Sequence, residues 1–358
     1  MLFILVHKRG ILFVLLILFI LLTLIYNLVV TDKRENIENI ISYSMKGDLY
    51  CYSTLSPSLE DILEMDVTGE NSIFFWETSC NSQKNGKIIL NPRQACAVES
   101  AAKMNPGYNI YLIYVSPGQI KNEGTESDRV INVLLSYKNI HIVHINIWRL
   151  IKGSPVENLF LSGKLEKSKY PITHASDIIR FLTMWKFGGI YLDLDMIFLK
   201  SFKTLPKNFG TAESTKIINS AVMGFENKGL GLSYVISCLN DLNSTFNGQA
   251  WGYNGPDLIT RFSERKCKTK NFSALKVCED YTVLPQNAFH PIPWNKWQKY
   301  FNETYNTEVR KKIKNSYGIH VWNKNSIQWK LSLNSNATYM TLAKKFCPNV
   351  IKELHDYF

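Results

Sequence analysis

The sequence contains no C-x-x-C pair, although seven of its 358 residues are cysteines. Structural zinc sites use such closely spaced cysteine pairs, so this absence argues against a zinc knuckle. An odd number of cysteines predicts up to three disulfides and one leftover thiol, and the sequence does not say which residues pair. The cysteines are Cys51, Cys80, Cys96, Cys238, Cys267, Cys278 and Cys347.

The sequence also lacks internal repeats, low-complexity tracts and long basic runs. Its 41 lysines and arginines exceed its 30 acidic residues and give a formal net charge of +11, but most of them stand singly. The one tight basic cluster is Arg310-Lys311-Lys312. Because a nucleic-acid groove needs basic residues gathered on one face, we expect no nucleic-acid partner and a solvated basic surface instead.

One apolar segment is long enough to cross a membrane. Residues 11–30 carry no charge, and about 20 such residues span a bilayer core, whereas a cleaved signal peptide has a shorter apolar part. We therefore predict an uncleaved signal-anchor. The predicted organisation is a cytoplasmic tail at 1–10, a transmembrane helix at 11–30, a stem at 31–69 and a lumenal domain at 70–358, divided into a donor-binding half at 70–225 and an acceptor-side half at 226–358.

Four Asn-x-Ser/Thr sequences indicate which side of the membrane the large domain occupies. Basic residues flank both ends of the apolar segment almost equally, so the positive-inside rule does not decide the orientation. Four glycosylation acceptors together with seven cysteines favour the secretory side. The acceptor asparagines are Asn243, Asn271, Asn302 and Asn336.

The first half of the predicted lumenal domain alternates between strand and helix signals. Residues 72–76 form an apolar strand-like run, and Asn91-Pro92 supplies an N-cap followed by proline at the first helical position. This helix is predicted to end at Asn105-Pro106-Gly107, and residues 110–115 and 140–145 predict two further strands. Such alternation predicts an α/β sheet, parallel in this half, with ligands at the carboxyl ends of its strands.

Two acidic residues, Asp193 and Asp195, interrupt an apolar, strand-like run at 188–202. Carboxylates are rarely buried without a counter-charge, and side chains two apart on an extended chain leave the same face. We therefore predict that they share one cation. Mg²⁺ and Mn²⁺ are typically held by one or two carboxylates and the phosphates of a substrate, so the pair indicates an enzyme with a phosphate-bearing donor.

The segment before this run predicts a helix that Ser176 caps and that Gly188-Gly189 end. Asp177 and Arg180 would share one face of its first turn. They fit either a local ion pair at a helix N-terminus or part of the cleft that contains the two aspartates.

The run from His174 to Phe202 resembles the DXD-containing region of the globotriaosylceramide synthase family of α1,4-glycosyltransferases and of distant bacterial glucosylating toxins. The resemblance extends from about residue 70 to 348. Its other stretches are Trp76-Glu77-Thr78-Ser79, Val98-Glu99-Ser100-Ala101-Ala102, Asn219-Ser220-Ala221, Trp251-Gly252-Tyr253-Asn254-Gly255-Pro256, Phe289-His290-Pro291-Ile292-Pro293-Trp294 and His320-Val321-Trp322-Asn323-Lys324.

The resemblance implies a Rossmann-like GT-A fold, a UDP-sugar donor, retention of the donor's α-configuration, and Mn²⁺ or Mg²⁺ as the cofactor. It implies that Asp195 binds the metal, and that Asp193 contacts the ribose and reaches the metal directly or through water. Asp177 and Arg180 match a pair that holds donor-sugar hydroxyls. Two aromatic residues are further donor-site candidates: Tyr191 from within the same motif and Trp76 as a stacking partner of uracil.

For four residues, each of which has two possible roles, the sequence does not decide between them. His320 is either the third metal ligand or a core histidine beside Trp322, and Lys324 either reaches the diphosphate or is solvated. Retention requires a double displacement or a front-face attack, and the sequence does not choose between them. Asn254 and Asp257 either lie behind the donor sugar or form a turn.

The leading hypothesis is a single-pass type II Golgi membrane enzyme that transfers galactose or N-acetylgalactosamine from UDP-Gal or UDP-GalNAc to a glycosphingolipid. Membrane anchoring favours a lipid-linked acceptor because it raises the effective concentration of both partners. An α1,4-N-acetylglucosaminyltransferase acting on O-glycans is the rival enzyme. A catalytically silent, membrane-anchored carbohydrate-binding protein is the third hypothesis, and homodimerisation is left open.

Overall fold

The computed structural model describes residues 19–24, 26, 45–54 and 56–358. The chain divides into two units, Met1–Ser44 and Met45–Phe358. In the first unit residues 19–24 are helical and exposed, and most of the predicted span at 11–30 lies outside the described residues. Among the residues described, no helix has the length and apolar character that crossing a membrane requires.

The second unit alternates between strands and helices through most of its length. The strands are β1 (Ser72–Glu77), β2 (Asn109–Tyr114), β3 (Ile140–His144), β4 (Gly189–Leu192), β5 (Met196–Phe198), β6 (Asn208–Ala212), β7 (Ile218–Phe225), β8 (Lys276–Cys278), β9 (Tyr281–Leu284) and β10 (Gly318–His320). The helices are α1 (Asn81–Asn85), α2 (Pro92–Met104), α3 (Glu126–Leu135), α4 (Ile147–Ile151), α5 (Glu157–Leu161), α6 (Pro171–Lys186), α7 (Gly229–Thr245), α8 (Pro256–Cys267), α9 (Asn306–Ile313), α10 (Asn323–Ser326), α11 (Thr338–Phe346) and α12 (Pro348–Lys352). Short 3₁₀ segments include Gly47–Ser53 and Trp294–Tyr300.

Eight strands form one mixed sheet in the order β3-β2-β1-β4-β7-β6-β9-β8. The first four are parallel, whereas β7 runs antiparallel to both β4 and β6. The predicted α/β fold with a parallel first half is confirmed. The four parallel strands end at one edge, where ligand sites of open α/β sheets form.

Both faces of the sheet are covered, because successive residues of a strand point to opposite sides. In β1, Ile73 and Phe75 belong to one core cluster, and Phe74 and Trp76 belong to the other. Helices α2, α3, α11 and α12 contribute buried residues to the first cluster. Helices α6, α7 and α8 contribute buried residues to the second. The result is a three-layer unit with two separate cores.

A second, two-stranded sheet joins distant parts of the chain. Strand β5 pairs antiparallel with β10, and this register places His320 opposite Met196. Met196 directly follows Asp195. The pairing therefore brings a histidine from late in the chain to the acidic pair.

Three disulfides and one free thiol confirm the prediction from the cysteine count. The pairs are Cys51–Cys80, Cys96–Cys347 and Cys267–Cys278, and Cys238 is free and buried. The first pair ties the 3₁₀ segment Gly47–Ser53 to the residues after β1. Residues 45–69, predicted to belong to the stem, are thus part of the second unit, which contains all three disulfides and both cores.

Two local predictions near the acidic pair were wrong. Helix α6 begins at Pro171, not at Ser176, because proline is well suited to the first helical position. Asp177 and Arg180 therefore lie in the second turn and beyond. Asp193 and Asp195 lie in the link between β4 and β5 and not inside a strand, since the pairing of β4 with β7 ends at Leu192.

Candidate active site

A cavity of about 580 Å³ opens where β1, β4 and β6 end. Thr78 follows β1, Asp193 and Asp195 follow β4, and Glu213 follows β6, and all four line the cavity. It is formed at the carboxyl ends of the strands, as the α/β pattern predicted. Helices α6, α8 and α10 supply other parts of its wall.

Three possible metal ligands converge in this cavity. One ligand atom from each of Asp193, Asp195 and His320 lies within 4.8 Å of the other two. His320 Nε2 is 2.8 Å from Asp195 Oδ1, yet Asp195 Oδ1 has no hydrogen-bond partner among the described residues. Two buried atoms that approach without hydrogen-bond geometry fit a shared cation. Carboxylate oxygens and a neutral imidazole are ligands that suit Mn²⁺.

Asp195 and His320 are held in place by neighbours on both sides. The backbone N–H of Asn323 donates to Asp195 Oδ2 at 2.9 Å, and the Trp322 ring lies 4.0 Å from the His320 ring. Trp322 has a left-handed backbone (φ 58°), unusual for a bulky residue, and its indole N–H donates to the carbonyl of Ile292. Trp322 is therefore a positioning residue for the imidazole.

Asp195 and His320 each counteract the effect that burial has on the pKa of the other. Burial by itself would raise the pKa of Asp195, but His320 and the Asn323 N–H outweigh it and lower the pKa. Burial likewise favours neutral His320, and the Asp195 carboxylate raises its pKa above the ordinary value. Each group thus stabilises the charged form of the other.

The buried side chain of Arg180 lies between the carboxylates of Asp177 and Asp193. Its Nη1 lies 3.4 Å from Asp193 Oδ1, and its Nη2 lies 3.6 Å from Asp177 Oδ1. Nη1 also donates to the carbonyl and the hydroxyl of Ser220 on β7. Its guanidinium stacks on the ring of Tyr191, 4.8 Å from the centroid. The pair Asp177–Arg180 therefore borders the cleft, as one interpretation predicted, and it is also an ion pair, although not at the helix N-terminus.

Asp177 presents a carboxylate oxygen without a protein partner. Its Oδ1 packs so close to Gly255 that a Cβ there would be 2.2 Å away. Oδ2 is buried and has no hydrogen-bond partner among the described residues. Burial raises the pKa of Asp177 to about 7 despite Arg180, and Asp193 and Asp257 add to the rise. This oxygen is placed to accept a hydrogen bond from a ligand in the cavity.

Tyr191 acts on Asp193 from inside the sheet. The phenol O–H donates to Asp193 Oδ1 at 2.5 Å, and the ring is buried. Asp193 also donates its backbone N–H to the carbonyl of Ala221 on β7, directly after the last paired residue of β4. Tyr191 does not line the cavity, so it orients Asp193 instead of facing the donor.

Two other predicted residues do not line the cavity. Trp76 is 6 % exposed and packs in the second core cluster, so it offers little surface for stacking on a base. Asn254 is fully buried, and its amide exchanges two hydrogen bonds with the backbone of Asn247. Those bonds close the loop before α8, as a turn-forming residue does. The roles predicted for them in donor binding and behind the sugar have no support in this geometry.

Lys324 lines the cavity, whereas Asp257 does not but lies close to Asp177. Asp257 is in the first turn of α8 and is near enough to raise the pKa of Asp177. Lys324 lines the cavity, and its Nζ lies 3.6 Å from the centroid of the Trp251 ring on the opposite wall. Partial burial lowers the pKa of Lys324. The predicted glycosylation sites Asn271, Asn302 and Asn336 are exposed, whereas Asn243, near the end of α7, is half-buried.

Sequence reasoning assigned no role to Glu213, a fourth carboxylate in the cavity. Asn219 donates to Glu213 Oε2 at 2.6 Å, and its own Oδ1 accepts from the N–H of Ala221. Burial raises the pKa of Glu213. Asn219 belonged to a matching stretch, but nothing in the local sequence around Glu213 distinguishes it from an ordinary hairpin residue.

Comparisons with known proteins agree with this site. Residues 91–211 match the family described as glycosyltransferase sugar-binding region containing DXD motif, and residues 230–354 match the alpha 1,4-glycosyltransferase conserved region. The first family implies a divalent metal and a nucleotide-sugar donor.

Three named proteins illustrate the range of similarity. The lactosylceramide 4-alpha-galactosyltransferase of Mus musculus is 30% identical over 91% of this chain and 84% of its own length. The alpha-1,4-N-acetylglucosaminyltransferase of Homo sapiens is 25% identical over 82% of this chain and 83% of its own. The solved PaToxG glycosyltransferase is 19% identical with a TM-score of 0.40, covering 66% of this chain and 78% of that one. The chain belongs to the α1,4-glycosyltransferase family and is a hexosyltransferase.

Proposed function

We propose that this protein transfers galactose or N-acetylgalactosamine from a UDP-sugar, in α1,4 linkage and with retention, onto a glycosphingolipid. The observation that carries the proposal is the convergence of Asp193, Asp195 and His320 within 4.8 Å in the cavity. The Mus musculus relative, whose name specifies lactosylceramide and galactose, supports the acceptor class and the sugar. Mn²⁺ or Mg²⁺ is the proposed cofactor.

The residues of the cavity have distinct roles in this reaction. Asp193, Asp195 and His320 would hold the cation, which as a Lewis acid stabilises the negative charge that grows on the diphosphate as the sugar leaves. Asp177 Oδ2 accepts a hydrogen bond from a donor-sugar hydroxyl. Arg180 keeps the carboxylates of Asp177 and Asp193 at a fixed separation.

The charge balance of the cavity favours a divalent cation. Four carboxylates line it, those of Asp177, Asp193, Asp195 and Glu213, against the two cations of Arg180 and Lys324. The carboxyl groups in the cavity lining therefore outnumber the basic side chains. A diphosphate would be repelled by this excess of carboxylates, and a bound divalent ion would offset it.

We further propose that the protein is a single-pass type II protein of the Golgi membrane, with residues 11–30 as its anchor and the catalytic unit in the lumen. The apolar, uncharged character of that segment, the disulfides and the three exposed glycosylation acceptors support this location.

A donor and acceptor screen tests the function. The full chain in detergent micelles with Mn²⁺ is offered UDP-Gal, UDP-GalNAc and UDP-GlcNAc, each with lactosylceramide or an O-glycan. We expect transfer of galactose or N-acetylgalactosamine to the glycolipid, lost on chelation, and reduced at least about 100-fold in Asp195→Asn, since a nearly isosteric amide is a poor metal ligand. Transfer of N-acetylglucosamine to the O-glycan would assign the protein to the rival function. No turnover with any donor would overturn the proposal.

A further inference from the structure

Three tryptophans of the described residues are exposed, and two of them line the active-site cavity. Trp251 and Trp294 line its edge, and Trp294 is 56 % exposed. Trp329 is 52 % exposed and does not line the cavity, and exposed Ile327 precedes it by two residues. Exposed indoles gathered in one place mark an interaction surface, whereas singly scattered ones need no explanation.

The outer part of this surface is continuous. The ring of Trp329 packs edge-on against that of Trp297 at 5.8 Å, and Trp297 belongs to the same 3₁₀ segment as Trp294. Helix α10, whose Lys324 and Asn325 line the cavity, leads directly into Ile327. We call the group Trp294, Lys296, Ile327, Trp329 and Lys330 the mouth rim.

A buried arginine holds this surface rigidly in place. Arg93 on α2 is 4 % exposed, and its guanidinium donates to the backbone carbonyls of Ser326 and Trp329. The rings of Phe301 and Tyr339 enclose it, with centroids 5.1 Å and 5.5 Å from its Cζ. The exposed apolar side chains of the rim therefore do not belong to a loosely held loop.

The two chain segments that form the rim carry only positive charge. The segments 291–300 and 321–330 contain the lysines Lys296, Lys299, Lys324 and Lys330 and no acidic residue. Lys299 pairs with Glu308, which leaves exposed Lys296 and Lys330 beside the tryptophans. Tryptophan is enriched at membrane–water interfaces, and lysine is a common anchor there as well.

We propose that the mouth rim is a membrane-docking surface, which rests its apolar side chains in the headgroup layer and its lysines on the lipid phosphates. The inference rests on the proposed function, because a glycolipid headgroup projects only a short way from the bilayer and the cavity mouth must approach it. A saccharide platform is the competing occupant. Ile327 and Trp329 do not line the cavity, so a bound acceptor sugar does not account for their exposure.

The test compares two acceptors with the same headgroup. The full chain, reconstituted in phosphatidylcholine vesicles with or without phosphatidylserine, is assayed on vesicle-embedded glycolipid and on the free oligosaccharide. The variant Ile327→Ser/Trp329→Ser leaves the backbone carbonyls that Arg93 contacts in place. We expect transfer to the embedded glycolipid to fall at least about tenfold, since the apolar contact of an Ile and a Trp is lost, while transfer to the oligosaccharide changes less than about twofold.

A second readout uses the compact unit Met45–Phe358 and co-sedimentation with the same vesicles. Binding should weaken in the double variant, and Lys330→Gln should weaken it about fivefold on anionic vesicles, the equivalent of about 1 kcal/mol per lysine. The matched control Leu275→Ser/Val277→Ser removes an equally exposed apolar pair around β8 and should leave both readouts unchanged.

The outcomes separate the two proposals. Equal losses on both acceptors in the rim variant would make the rim a saccharide platform and overturn membrane docking. Unchanged transfer and unchanged vesicle binding would overturn it as well. No transfer by the wild type to either acceptor would instead be a failure of the proposed function, and vesicle binding by the compact unit would still decide whether the rim contacts membranes.

Discussion

His320 is the residue whose role depends most on its surroundings. It is buried, its Nε2 faces Asp195, and the Trp322 indole packs on its ring. Its Nδ1 is buried without a hydrogen-bond partner among the described residues. An unpartnered Nδ1 is atypical of a core histidine and of a metal-ligating one alike. The metal-ligand interpretation is favoured instead by the convergence of His320 with the carboxylates of Asp193 and Asp195.

Replacing His320 by Ala should therefore weaken metal binding. We expect the Mn²⁺ concentration for half-maximal activity to rise at least about tenfold, as loss of support at a metal centre commonly does. The measurement is a Mn²⁺ titration at saturating donor, with calorimetric Mn²⁺ binding as a readout independent of turnover. His141→Gln, on the half-exposed face of β3, is the matched control. An unchanged Mn²⁺ affinity in His320→Ala would show that this histidine is a core residue and not a metal ligand.

Glu77, the last residue of β1, is a buried carboxyl outside the cavity. It is 8 % exposed, and its Oε1 accepts from the N–H of Ser79 at 3.1 Å. Its Oε2 has no partner among the described residues. Burial raises the pKa of Glu77 to about 7, although the hydrogen bonds from Ser79 oppose the rise. The folded protein therefore favours the protonated acid.

This pKa predicts how stability depends on pH. Between the ordinary pKa of 4.5 and about 7, the folded protein binds the proton more tightly than the unfolded chain does. The contribution to stability is complete below the ordinary value and is lost as the pH rises through about 7. We expect a lower melting temperature at pH 8 than at pH 5.5, and a smaller difference in Glu77→Gln. Exposed Glu60→Gln is the control, and an identical pH profile in Glu77→Gln would contradict the assignment.

At the scale of elements, Arg93 connects α2 to segments more than 200 residues away along the chain. Its guanidinium donates to the carbonyls of Ser326, Trp329 and Phe358. These contacts hold the end of α10 and the last residue against the helix. A buried cation with three acceptors is costly to remove because the acceptors lose their donors together.

Arg93→Met keeps the length and apolar stem of the side chain and removes the donors. We expect the free energy of unfolding to fall by about 3 kcal/mol, the usual range for a broken buried charge network. Urea unfolding followed by tryptophan fluorescence measures it. Arg310→Met, on an exposed face of α9, should change stability by less than about 0.5 kcal/mol. A loss of that small size in Arg93→Met would show that water can replace the arginine.

The elements that the sequence predicted best are those whose signals are local. The alternation of apolar strands with a capped helix identified β1, α2, β2 and β3 before their pairing was known. The predicted start of α6 was wrong because Ser176 and Pro171 both fit a helix start, and the helix begins at Pro171. Strand β10 pairs with β5 across more than 100 residues, and no local pattern specifies such a partner. His320 was found through family resemblance for this reason.

The same distinction explains the misassigned side chains. Asn254 and Trp76 occur in stretches that match the family, but whether a side chain faces a cavity depends on tertiary packing. Asn254 bonds to the Asn247 backbone, and Trp76 packs on the core face of β1. Glu213 is the opposite case. It lies in a hairpin and has no sequence signal, yet its side chain lines the cavity. The residue types predicted the chemistry of the site, whereas tertiary packing determines which side chains line the cavity.

At the scale of the whole molecule, the Cys96–Cys347 disulfide joins α2 to the junction of α11 and α12 across a separation of 251 residues. In the chain-entropy account, closing a loop of that size lowers the entropy of the unfolded chain by the equivalent of about 5 kcal/mol. We expect Cys96→Ala/Cys347→Ala to lose several kcal/mol of unfolding free energy, measured by urea denaturation. Cys267→Ala/Cys278→Ala, which opens a loop of separation 11, should lose less. Equal losses would show that strain or packing, and not loop size, sets the contribution.

The Cys96–Cys347 bond also makes one thiol an indicator of completed synthesis. Cys96 leaves the ribosome early, and its partner follows only when nearly all of the compact unit has been translated. A nascent or prematurely terminated chain that stops before Cys347 therefore lacks the native partner of Cys96. A thiol-directed retention system in an oxidising compartment can thereby distinguish an unfinished polypeptide from a finished one, before either is tested for activity.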